Sequence, residues 1–97
     1  MSRVDLHPLA EQELTAVAVY YDEQARGLGA DFLAEADRTL QFVVQYPGVG
    51  RQLPDSSRRV SLRRFPYHPN YRLDPDRLFV LAFAHDRRRP GYWSDRA

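Results

Sequence analysis

This sequence predicts an α+β fold: strand, helix, helix, then three more strands. The two helices form a hairpin packed on one face of an antiparallel sheet, and a short C-terminal tail follows. Three observations carry that reading. Apolar residues recur at spacings of three and four through the first half of the chain and alternate in much of the second half. Gly27-Leu28-Gly29 and Tyr46-Pro47-Gly48 punctuate the helical stretch. The last apolar run, Leu78 to Ala84, is hydrophobic on both faces, which suits a strand inside a sheet.

Taken in order, Ser2 to Leu6 reads as a short strand, and His7-Pro8 opens a helix with proline well placed in its first turn. Ala10, Leu14, Val17 and Tyr21 form its apolar face, and Glu11 and Glu13 suit the positive end of its dipole. A second helix is expected to begin near Asp31, with Leu33, Ala36, Leu40 and Val43 as its stripe. The connector is short, so the two helices should lie antiparallel. Residues 47–57 are loop by composition.

Arg58 to Arg64 then alternates, with Val60 and Leu62 opposed to Arg59, Ser61 and Arg63. Tyr67 to Leu73 alternates as well, with His68, Asn70 and Arg72 on the second face. Pro69 cannot donate to a ladder, so an edge or a bulge is expected there. If the helices cover one face, the other would present Arg59, Ser61, Arg63, His68, Asn70 and Arg72 as a cationic surface.

The chain has 97 residues, and residues 1–97 are read as one small domain. It is 43% hydrophobic, too much for disorder, yet no apolar run approaches the ~20 residues of a membrane span. No secretory leader is expected from the first residues, and a cytoplasmic address is expected. There is no cysteine, which excludes disulfides and thiolate metal sites. The histidines lack metal-ligand spacing, since His68 and His85 are 17 apart and His7 is remote. Neither a metal nor a cofactor is expected.

Net charge of +1 conceals an asymmetry. Residues 1–50 carry three arginines and eight acids, whereas residues 51–97 carry eleven arginines and five acids. A basic second half suggests a surface for an anion. All fourteen basic residues are arginine, which excludes lysine chemistry.

The densest chemistry lies in Leu78–Arg96, LFVLAFAHDRRRPGYWSDR. A strand ends in His85, then Arg87, Arg88 and Arg89 run together, and Tyr92 and Trp93 follow Pro-Gly. Guanidinium groups can hold phosphates, and aromatic faces can stack on bases at about 1–3 kcal/mol each. The same residues could pair with an acidic protein segment or simply pack a tail across the sheet. His68, with an ordinary pKa near ~6.5, could act as a base.

The element order, the GLGADFL segment from Gly27, the FPY of Phe65–Tyr67 and VLAFAHDRRRPGYW from Val80 together resemble the RelE/ParE superfamily of toxins from type II toxin–antitoxin modules. The resemblance covers nearly the whole chain. It implies a growth-inhibiting toxin, of the kind linked to plasmid stabilization, neutralised by a cognate antitoxin. RelE-like members cut messenger RNA on the ribosome, and ParE-like members poison DNA gyrase.

By that resemblance, Arg59 and Ser61 fall where the RelE branch has catalytic lysines. His68 falls on a transition-state arginine, Arg87 on the arginine after the last strand, and Trp93 on the catalytic tyrosine. Only Arg87 is retained, and Ser61 and Trp93 cannot supply the same charge or proton. The resemblance therefore implies a gyrase inhibitor. Its target or antitoxin surface would comprise Arg59, Arg63, Arg72, Arg87, Arg88, Arg89, Tyr92 and Trp93. The alternatives are a metal-independent endoribonuclease using His68, Arg59 and Arg87, and an inactive member that only binds its antitoxin.

Overall fold

In the computed structural model, which describes residues 3–96, seven elements follow one another. They are β1 (Val4–Leu6), α1 (Pro8–Gln24), α2 (Leu28–Gln45), β2 (Arg51–Gln52), β3 (Arg58–Arg59), β4 (Tyr67–Leu73) and β5 (Leu78–His85). The strands form one sheet in the order β1-β5-β4-β3-β2. The α+β architecture is the expected one, with two refinements: β2 is an added short strand, and β1 runs parallel to β5, so the sheet is mixed. Ser2, expected to start β1, lies outside the described residues. No helix among the described residues is long and apolar enough to cross a membrane.

His7 joins sheet to helix. Its backbone N–H continues the β1–β5 pairing to the Val80 carbonyl, while its Nδ1 accepts from the Leu9 N–H and caps α1. Gly27 adopts φ +88°, a left-handed conformation that turns the chain between the helices. The turn is so tight that α2 starts at Leu28, not near Asp31. Gly29 therefore sits inside the helix, packed against the Ala18 carbonyl of α1 where a side chain would collide. The helix is rotated accordingly. Phe32 joins Ala36, Leu40 and Val43 in the buried stripe, whereas Leu33 is 42% exposed.

The sheet is covered on both faces. Towards the helices, Ala10, Ala36, Leu40 and Val43 pack on Tyr71, Leu78, Val80 and Phe83. At the far end of the helical hairpin, Phe32, Leu62 and Phe65 form an aromatic-rich cluster with Tyr21 and Tyr67. On the opposite face, Phe79, Leu81, Ala82 and Ala84 lie beneath Trp93 of the C-terminal tail. Strand β5 is thus apolar on both sides because both sides are buried.

The pairing of β4 and β5 shifts between Asn70 and Tyr71: Asn70 opposes Ala82, Tyr71 opposes Val80, and Leu81 is the extra residue. The extra residue is in β5 and the shift comes after Asn70, whereas Pro69 pairs in register with Phe83. Pro69 itself lies just beyond β3, whose last partner is Asn70, so β4 has no neighbour on that side there. The alternation from Arg58 to Arg64 stays a strand only through Arg59. Beyond it the Arg63 and Arg64 N–H groups turn to the buried Glu35 carboxylate on α2 instead of a ladder.

Candidate functional site

Two strand ends bring a histidine, an aspartate and two arginines together. His68 lies on β4, and its Nδ1 is 2.8 Å from Oδ1 of Asp86, the residue after β5. Asp86 is held in place by its backbone N–H, which donates to the Pro66 carbonyl. Arg59 of β3 approaches the same carboxylate oxygen at 3.8 Å. Arg51 and Arg59 are direct cross-strand partners, and such a like-charged pair repels unless an anion lies between or near the two.

His68 is only 3% exposed. Burial pushes its pKa below the ordinary histidine range, the Asp86 hydrogen bond opposes that shift, and the Arg59 charge adds to it. The ring is accordingly neutral near pH 7, with Nδ1–H donating to Asp86 and Nε2 as the acceptor nitrogen. A general base must come within about 2.6–3.2 Å of the proton it removes. Here the imidazole lies inside the fold, and a substrate reaches it only after covering groups move.

The tail from Arg87 onward forms the second part of the site. The Arg87 N–H donates to His85 Nδ1, and the Arg88 N–H to the His85 carbonyl, so a turn sets the direction of the run. Arg87, Arg88 and Arg89 are all exposed. The Arg88 guanidinium stacks 3.9 Å from the Tyr92 ring centroid. Tyr92 donates to Glu13 of α1 at 2.9 Å, and burial together with that carboxylate pushes its pKa up to about 12. Trp93 is buried over the sheet. Both amide atoms of Asn70 have no hydrogen-bond partner among the described residues, whereas the Trp93 indole N–H faces the Asp55 carboxylate and helps hold its pKa below the usual carboxylate range.

The expected cationic sheet face is therefore divided. Its centre, His68 and Asn70, is buried: their cross-strand partners Ala84 and Ala82 belong to the cluster that Trp93 and Leu53 cover on that face. Arg72 is bound to Asp74 at 2.8 Å and lies over Phe79. Arg63 and Ser61 line a separate groove against α2. Only Arg59 is brought to His68, with Arg87 following one residue after Asp86. Among the described residues no three His, Asp or Glu side chains converge as metal ligands.

Asp86, Glu13, Glu35 and Arg96 are the site-building residues that sequence reasoning missed. Asp86 offered one signal, an acid between a strand-end histidine and three arginines. Glu13 offered none, since its hydrogen bonds run to Tyr92 and Arg96 at the far end of the chain.

No family model and no curated protein matches the chain. Among solved structures, a chain of the chromosomal ParDE TA system from P. aeruginosa superposes with a TM-score of 0.74. The two chains share a fold. The match covers 88% of this chain and 96% of that one at 18% identity, so it carries architecture and leaves the chemistry to the residues.

Proposed function

We propose that this protein is the toxin of a type II toxin–antitoxin pair, acting in the cytoplasm as a non-enzymatic inhibitor of DNA gyrase and neutralised by its antitoxin. The shared fold with a chain of a ParDE system supports the toxin reading. The burial of His68 carries the non-enzymatic part. Of the candidate site residues, the two that could do acid–base work are a buried imidazole and a phenol pushed up to about 12. The exposed chemistry is cationic instead: Arg87, Arg88 and Arg89 lie together on a turn at a strand end. Cations so placed attract a protein–DNA complex by charge and contact its phosphates without making or breaking bonds.

One observation favours a second reading, a ribosome-dependent messenger endoribonuclease. The His68–Asp86 pair flanked by Arg59 has the makings of a base with a nearby cation for a charged phosphorane. In that reading His68, Arg59 and Arg87 would be catalytic. Induced expression in a bacterial host, with early transcript 5′-end mapping and a DNA-damage reporter, separates the two. DNA breaks with intact messages are expected. Cuts inside translated messages without DNA damage would overturn the gyrase reading.

A further inference from the structure

We propose that the groove between α2 and residues 60–64 is the seat of an acidic, amphipathic segment of a partner polypeptide. The groove encloses about 620 Å³, and Thr39, Phe42 and Val60 line it together with Arg38, Arg63 and Arg64. Phe42 also borders an adjoining depression with Tyr46 and Val49. These three large apolar side chains are each about half exposed, and the Phe42 and Tyr46 rings stand 5.2 Å apart. Isolated exposed apolar residues are ordinary, but a contiguous strip beside a concave surface marks a place where another chain packs.

Charge identifies the occupant. Glu35 is the one acid lining the groove among the described residues, and its carboxylate is already bound by the Arg63 and Arg64 N–H groups. Arg38 and Arg63 form no ion pair among the described residues, and Arg64 has only an exposed 3.7 Å approach to Asp31. An apolar strip flanked by unneutralised guanidinium groups complements a helix or extended segment with apolar knobs and acidic flanks. A second copy of this chain fits poorly, because a two-fold contact would set these arginines against themselves. A nucleic acid would use the cations and leave Phe42, Tyr46 and Val49 unburied. That the partner is an antitoxin rests on the toxin reading; the seat does not.

The test uses a synthetic helical peptide of about 16 residues, roughly four turns, with leucines along one face and glutamates flanking them. Its lysine-for-glutamate counterpart is the control. Nuclear magnetic resonance titration should move the amides of Thr39, Phe42, Ser61 and Arg63. The lysine peptide, and the variants Phe42→Ser and Arg63→Glu, should each bind about tenfold more weakly or worse. Both positions are exposed, so the variants should melt like the parent.

No saturable binding at millimolar peptide would overturn the proposal. So would equal binding of the two peptides, movement confined to Arg87–Arg89, or a protein dimer that Phe42→Ser dissociates. Growth arrest on induction is scored separately. A harmless protein that binds the peptide keeps the seat and removes the toxin reading; a toxic one that ignores the peptide does the reverse.

Discussion

Arg96 closes on Glu13 from the opposite end of the chain, donating from Nη1 at 2.9 Å and from Nη2 at 3.1 Å. The same Nη1 reaches the Leu81 carbonyl beside the β5 bulge, and Glu13 also accepts the Phe83 N–H and the Tyr92 hydroxyl. Beyond the three residues that pair with β1, this clasp covers the edge of β5 and fastens the tail. Glu13→Gln removes the charge from a largely buried pair and leaves Arg96 uncompensated. It should destabilise the protein by roughly 2 kcal/mol. Thermal unfolding of Glu13→Gln beside the parent measures the loss, and an unchanged midpoint would mean that the clasp contributes nothing.

The tail should come loose before the rest of the fold. Asn70 places two amide atoms without a partner among the described residues in the one layer it covers. Each buried polar group without a partner costs about 1–3 kcal/mol. Trp93 is the only tryptophan, so its fluorescence reports on this layer alone. Its emission should be blue-shifted and shielded from acrylamide in the parent. In Glu13→Gln it should shift red at temperatures where the far-ultraviolet circular dichroism is still native.

Stability should fall as the solution is acidified below the ordinary histidine pKa. Burial lowers the folded pKa of His68, so between about pH 6.5 and that lower value the unfolded chain binds a proton that the folded one refuses. Asp86 faces the ring as the favourable charge, and Arg59 and Arg51 as the unfavourable ones. The stabilisation is complete above pH 6.5 and is lost as pH falls through the folded value. His68→Asn keeps a donor for Asp86 and cannot titrate. Its unfolding midpoint should be flatter over that window than the parent's. Asp5, Asp55 and Asp74, all held below the usual carboxylate range, should act only at lower pH and equally in both proteins.

Gly29→Ala should be destabilising although alanine is the better helix former. A methyl group there meets the Ala18 carbonyl oxygen and crowds Asp22 on α1. The two helices must separate along their tightest contact, at a cost of about 1–3 kcal/mol. A denaturant midpoint equal to or above that of the parent would show that the helices yield freely.

Local pattern and distant packing divide what could be read from the residues alone. The bounds of β4 and β5 were legible almost to the residue, and the uniform apolarity of β5 reports its two buried faces, but the alternation of β4 did not report that His68 and Asn70 are buried too. The start of α2 was not legible, because the residue pair Gly27 and Gly29 reads as a break while one of them is a turn and the other a helix contact. The alternation of Arg58–Arg64 misled because Glu35, 28 residues before Arg63, captures the backbone there. At the site, the arginines and aromatics were visible as types. That Trp93 would cover Ala82 and Ala84, the cross-strand partners of Asn70 and His68, and that Glu13 would hold Tyr92 and Arg96, depends on contacts far apart in sequence, which no local spacing encodes.

Growth after induction of His68→Asn is the most direct measurement of the non-enzymatic toxin reading, with a melting curve to establish that the variant is folded. The variant should arrest growth as the parent does, with DNA breaks and intact messages, whereas replacing Arg87, Arg88 and Arg89 with glutamate should abolish the arrest. A folded, harmless His68→Asn, beside a parent that cuts translated messages, would contradict the reading and make His68 the catalytic base.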